Sequence, residues 1–128
     1  MDLAFQIGSD GSTFGGYPLA CVAGVTALEV LQEEQLADAS RKQGEKLKQR
    51  LRKIALSSEE IKEVRGKGLF LGIEVKNGNA MKFCRQLLDL GIIVNDSHGH
   101  TIRISPPLII SDDELGFLAE ALETVFTK

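Results

Sequence analysis

Val64-Arg-Gly-Lys-Gly-Leu-Phe-Leu-Gly-Ile-Glu-Val75 is the stretch that decides the fold. Val64, Leu69, Phe70, Leu71, Ile73 and Val75 are strand formers set around Gly66-Lys67-Gly68. They predict two strands, about 61–66 and 69–76, broken or bulged at the glycines. The glycines of this stretch mimic a dinucleotide fingerprint, but the third, Gly72, comes one residue late and a strand follows where a helix should. A tight bend explains them better.

Outward from there, Asn77-Gly78 marks a turn, and Asn79 is placed to cap a helix running to about Leu90. Gly91 stops that helix. Ile92-Ile93-Val94 reads as a short strand, and Thr101-Ile-Arg-Ile-Ser105 as another, closed by Pro106-Pro107 because proline cannot donate to a ladder. Ser111-Asp-Asp-Glu114 has the spacing of a capping box. Leu115, Leu118, Ala119, Leu122, Val125 and Phe126 then form a helical stripe.

On the other side, Pro18 suits the first turn of a helix that runs from Leu19 to about Glu34. Its first half is small and apolar on every face, the pattern of a helix buried all round. A second helix, about 36–54, carries a thin stripe of Leu36, Ser40, Gln43, Leu47, Leu51 and Ile54. It should lie on the surface with one face down, and Gly44 should weaken it by roughly 1 kcal/mol against alanine. The element order gives an α+β fold, helices packed on a small, mostly antiparallel sheet. Residues 1–17 form a glycine-rich lead-in and 18–128 the single domain.

Composition narrows the function classes. The chain has 128 residues, 43% hydrophobic and 26% charged, with net charge −3. That excludes a disordered tail, a fibre and a nucleic-acid binder. No apolar run reaches membrane-spanning length, so no membrane partner is expected. Met1-Asp2 opens without a basic, apolar leader, and Cys21 and Cys84 lie far apart, reading as buried thiols of a reducing, cytoplasmic compartment. Ten of fifteen cations fall between Arg41 and Lys67, but Glu45, Glu59, Glu60 and Glu63 interleave them, which reads as a solvated face.

Three places could carry chemistry. Gly11-Ser12-Thr13-Phe14-Gly15-Gly16 precedes a helix N-terminus, and Ser12 and Thr13 add hydroxyl donors. This is either a plain entry loop or a phosphate cradle that lacks a local cation. His98-Gly99-His100 with Asp96 offers too few ligands for a zinc site. Arg103 alternates with Ile102 and Ile104, so it faces away from the core. It is either a solvated strand residue or a carboxylate receptor, since a guanidinium fork matches a carboxylate bidentately.

Taken in series, Gly11-Ser-Thr-Phe-Gly-Gly-Tyr-Pro-Leu-Ala20, Val64–Val75, and Gly91-Ile-Ile-Val94 followed by Ile102-Arg-Ile-Ser-Pro-Pro-Leu-Ile-Ile110 resemble class III (ornithine-type) pyridoxal-phosphate aminotransferases. His98-Gly99 before the Ile-Arg strand is most similar to the ornithine branch, with the acetylornithine and 4-aminobutyrate branches close to it. The resemblance implies the small C-terminal domain of a fold-type I enzyme. It implies that Ser12 and Thr13 bind the cofactor phosphate across a dimer interface and that Arg103 receives the substrate α-carboxylate. Asp10 and Tyr17 depart from the family's His-Gly-Ser-Thr and Gly-Gly-Asn-Pro.

The family's Schiff-base lysine lies upstream of the Gly-Ser-Thr loop, whereas the first lysine here is Lys42. The resemblance therefore implies a C-terminal fragment that has no catalytic lysine, misses its large domain, and is inactive alone. Pyridoxal 5'-phosphate would belong to the intact enzyme and not be bound by this chain. A non-catalytic α+β module derived from such an enzyme is the competing reading. With the helix at 19–31 uncovered, the chain is expected to form a homodimer through residues 1–31.

Overall fold

A computed structural model of the chain describes residues 11–127. The chain divides into two compact units, Met1–Gln35 and Leu36–Lys128.

In the first unit Tyr17, in extended conformation, precedes α1 (Pro18–Glu33), with proline in the first turn as the sequence suggests. Gln35 takes a positive φ of 51° just beyond the helix. The expectation of a helix buried all round is corrected: no residue of α1 is buried, and Val22 is 63% exposed. Cys21 is exposed as well, not a buried thiol. The reason is local. Among the described residues of this unit α1 is the only regular element, so none there covers it, however apolar its sequence.

The second unit contains α2 (Leu36–Ser57), β1 (Ile61–Lys67), β2 (Phe70–Val75), α3 (Ala80–Asp89), β3 (Asn95–Ser97), β4 (Thr101–Ile104) and α4 (Asp112–Phe126). Its sheet has the order β1-β2-β4-β3, and every neighbouring pair is antiparallel. Leu71, Ile73, Ile102 and Ile104 fill one face of the sheet. Leu47 and Leu51 of α2, Leu87 of α3 and Leu122 of α4 complete a single core with them. Phe83 and Phe126 stack within it at 4.7 Å between centroids.

The local signals act as their chemistry requires. The Asn79 side chain accepts from the Lys82 amide at the start of α3. Gly91, at φ 83°, ends α3, and the Ile92 amide turns back to the Leu87 carbonyl. At α4, Ser111 and Glu114 form the full reciprocal capping box.

Two boundaries differ from the expectation. Gly66 and Lys67 stay paired in β1, the hairpin turns at Gly68-Leu69, and the irregularity lies between Ile61 and Glu63. Ile92-Ile93-Val94 is not a strand; pairing starts only at Asn95, opposite Arg103. β4 ends at Ile104 just before Pro106-Pro107, so the residues ahead of Asn95 have no ladder to join.

Gly44 has a structural reason. A Cβ there would stand 2.0 Å from the Gly68 carbonyl oxygen, so α2 and the hairpin turn touch backbone to backbone. The Leu69 amide donates to Ser40 Oγ at 3.1 Å, and Lys48 Nζ donates to the Gly66 carbonyl at 2.9 Å, fastening the same turn. Gly44→Ala should therefore destabilise the fold by roughly 1–3 kcal/mol, the scale of overpacking. That outweighs the roughly 1 kcal/mol gain in helix propensity. Chemical denaturation measures the difference; a midpoint equal to or above wild type would refute the close approach.

Candidate functional site

The alternation of β4 places Ile102 and Ile104 in the core, 0% and 1% exposed, and turns Arg103 to the opposite face. The helices of this unit leave that face open, and Phe70 lies on it 64% exposed. Arg103 sits opposite Gly72 of β2 on one side and Asn95 of β3 on the other. Gly72 in turn faces Arg65 of β1. One row across the sheet thus reads Arg65, Gly72, Arg103, Asn95.

The charges on this face are paired unequally. Glu74 accepts from Lys62 at 2.5 Å and from Arg65 at 2.7 Å, and Glu63 lies 3.8 Å from Arg65. Hydrogen bonds from Lys62 and then Arg65 hold the Glu74 carboxyl below the usual glutamate range. Arg103 has no hydrogen-bond or ion-pair partner among the described residues. A strand cation on a hydrated surface needs no partner, but two clefts meet at this one. The larger, about 390 Å³, has an apolar wall of Ile92, Val94, Pro106 and Phe117; the smaller, about 270 Å³, lies over Gly72 and Thr101. A free guanidinium beside concave, largely apolar surface is the arrangement that binds a small carboxylate.

Ser12 and Thr13 belong to the first unit, Arg103 to the second. The Gly15 amide donates to the Ser12 carbonyl at 3.3 Å and the Tyr17 amide to the Phe14 carbonyl at 3.1 Å, so the loop is two tight turns leading into α1. Ser12 and Thr13 are exposed, and no side chain caps the helix. The loop residues therefore fit one end of a phosphate ester as hydroxyl donors beside a helix N-terminus, while no cation stands among residues 11–17. Asp10, where the sequence departs from the His-Gly-Ser-Thr pattern, lies outside the described residues.

His98-Gly99-His100 is a turn. His98 and Gly99 take positive φ of 55° and 75°, Asp96 accepts from the Gly99 amide at 2.9 Å, and Ser97 Oγ meets His98 Nδ1 at 2.9 Å. The His100 ring packs on the neighbouring turn, where a Cβ on Gly78 would come within 2.7 Å of it. No group of three His, Cys, Asp or Glu able to hold a metal occurs among the described residues. Cys84 is buried, which pushes its thiol pKa up, with Asp96 adding to the effect. No helix among the described residues is long and apolar enough to cross a membrane. Sequence reasoning missed Arg65. Strand alternation places it on the face of Arg103, but only the register shows that a glycine separates them.

Residues 1–126 match the family described as aminotransferase class-III. The chain belongs to that family. It is 46% identical over 124 residues to the ornithine aminotransferase of Macrococcus caseolyticus (strain JCSC5402), covering 97% of this chain and 30% of that protein. The fold superposes with TM-score 0.85 on the ornithine aminotransferase of Toxoplasma gondii, a structure described with partial occupancy of PLP at its active site. There the identity is 35%, over 95% of this chain and 30% of the other. It superposes equally, at 33% identity, on the acetylornithine aminotransferase of Elizabethkingia anophelis, covering 95% of this chain and 33% of that one. The chain thus spans about 30% of the length of the relatives it matches. Four helices with a small antiparallel sheet correspond to the small domain that the sequence implied.

The ion pairs give this class III domain an acid-sensitive stability. Glu74 is held low by Lys62 and Arg65, Asp112 by Lys46 and Gln43, and Glu114 by the Ser111 amide and hydroxyl. Each folded pKa lies below its unfolded value, so the contribution is complete at neutral pH and lost as pH falls through the depressed values. The melting temperature should be flat near neutrality and decline below about pH 4.5. Thermal scans at stepped pH should show a shallower decline for Glu74→Gln; an unchanged profile would remove Glu74 from the account.

Proposed function

We propose that this chain is the C-terminal part of an ornithine-type, PLP-dependent aminotransferase whose intact form moves an amino group from the ornithine side chain to 2-oxoglutarate. The observation that carries the reading is the unpaired Arg103 at the junction of two clefts. The 46% identity to an ornithine aminotransferase supports it. Arg103 would hold the substrate α-carboxylate with both arms of its guanidinium and so fix the orientation of the reacting end. Ser12 and Thr13 would donate hydrogen bonds to the cofactor phosphate at the start of α1. Bound pyridoxal phosphate supplies the electron sink for amino transfer.

No residue of this chain takes the place of the family's cofactor-bearing lysine, because Lys42 is the first lysine and follows the loop. The chain alone would therefore neither retain the cofactor nor transaminate. In a complex reconstituted with a large-domain fragment, Arg103→Ala should raise KM for the amino acid. It should lower kcat/KM by the equivalent of roughly 2–5 kcal/mol, as when one member of a charged pair is removed. Unchanged kcat/KM would end the carboxylate role and favour a non-catalytic module instead.

The same reading makes the chain a homodimer through the segment that contains α1. Leu19, Val22, Val25 and Leu28 are all more than half exposed, and apolar patches of this kind are rarely left in water. Sedimentation should show a wild-type dimer and a shift to monomer in Val25→Glu. A wild type that stays monomeric at high micromolar concentration, with α1 intact, would contradict it. Cys21 and Cys84 remain free thiols, which suits a reducing cytoplasmic setting.

A further inference from the structure

We propose that the groove between α2 and α4, floored by Gly116 and edged by Lys42, Lys46, Arg50 and Lys53, docks an acidic helical segment of a partner protein.

Helix geometry sets the row of charges. Lys42, Lys46, Arg50 and Lys53 recur at spacings of four, four and three along α2, about one cation per turn on one flank. All four are exposed. At 1.5 Å per residue the row spans about 16 Å. Beside it lie two adjoining hollows of about 300 and 180 Å³ that share Arg50 and Lys53. Leu115 and Gly116 of α4 line the first and Ala119 the second. Leu115 and Ala119 are almost wholly buried, so the floor is shallow and apolar.

The charge on this flank is not balanced from within. Asp112 is held by Lys46 at 2.7 Å, and Glu123 is the other acid lining the groove. Lys42, Arg50 and Lys53 have no hydrogen-bond or ion-pair partner among the described residues. The other flank of α2 differs: Asp38 pairs with Arg41, and Glu45 stands two turns before Arg52 on one face.

Gly116 is an independent observation. Glycine inside a helix is disfavoured, and at Gly44 the Gly68 carbonyl requires it. At Gly116 no such contact exists among the described residues: a Cβ would meet only Arg50 Nη1, at 4.0 Å. The missing side chain leaves a notch beside the cation row where another backbone can come close. A helix with one carboxylate per turn would match the row and lay a small residue into the notch. No aromatic lines either hollow, and Asp112 and Glu123 interrupt the positive track, so a nucleic-acid strand is the poorer occupant.

The test titrates the 128-residue chain with an alanine-rich helical peptide of about fifteen residues carrying glutamate once per turn, and with its glutamine counterpart. At low ionic strength the glutamate peptide should bind about tenfold or more tightly, and added salt should shrink the difference. Arg50→Gln with Lys53→Gln, both exposed positions, should remove the advantage, whereas Arg41→Gln with Arg52→Gln should leave most of it. Gly116→Leu should weaken the glutamate peptide about tenfold while circular dichroism and the thermal midpoint stay those of the wild type. Equal binding of the two peptides, or an advantage that survives the Arg50 and Lys53 substitutions, overturns the proposal. Single-stranded DNA of equal charge that binds as tightly as the glutamate peptide, and ignores Gly116→Leu, overturns it too by showing a general polyanion surface.

Discussion

The second unit depends on one close approach, the backbone contact between Gly44 of α2 and Gly68 at the tip of the β1–β2 hairpin. Neither position has room for a side chain: a Cβ on Gly44 would meet the Gly68 carbonyl, and one on Gly68 would stand 2.6 Å from Ser40 Oγ. The helix accepts glycine's propensity cost so that the hairpin can lie against it, and Ser40 and Lys48 then satisfy polar groups of the turn. Fixing the hairpin fixes β2, and β2 fixes β4 through the pairing of Leu71 with Ile104 and Ile73 with Ile102. The direction of Arg103 is thus inherited from a contact at the far end of the hairpin.

A pleated strand makes that inheritance strict. With Ile102 and Ile104 wholly buried, a slip of one residue would place a guanidinium in the core, at a cost no partner there could offset. The register is therefore defended from both sides, by burial of the isoleucines and by the desolvation penalty of the arginine. Pro106-Pro107 ends the ladder just beyond, and the chain departs over the larger cleft instead of extending the sheet. The same sequence feature that stops the strand shapes the concavity beside Arg103.

Much of this was legible in the sequence where one residue type has one physical use. The Ser111–Glu114 spacing, the Asn79 cap, the Gly91 stop and the Ile-Arg-Ile alternation each have a local cause, and each has its expected geometry. What was not legible depends on partners distant in sequence. Ile92-Ile93-Val94 has strand composition, but whether it pairs depends on where β4 ends. Gly44 looks like a weak point until Gly68 is beside it. Arg65 gains its place beside Arg103 only through two strand registers. Cys21 and the small apolar residues around it suggested burial, a property that belongs to a helix and its cover together.

That last case has a further physical consequence. From Gly11 to Leu28 the chain carries no charged residue, and no lysine or arginine precedes Arg41. A surface helix ordinarily carries a charged face that would have to be desolvated on burial. α1 postpones its acids to Glu29, Glu33 and Glu34, near its C-terminal end, where they oppose the partial negative charge of the helix dipole. Those acids weaken the isolated helix slightly, and no capping side chain supports its start. A helix of 16 residues with so little local support is marginal in water and depends on packing for its stability. Its small residues permit close approach from any side, and its Leu and Val side chains supply apolar area worth about 25 cal/mol per Å² once covered. α1 is therefore a helix that is cheap to desolvate and weakly self-sufficient, and its stability rests on packing more than on its own sequence.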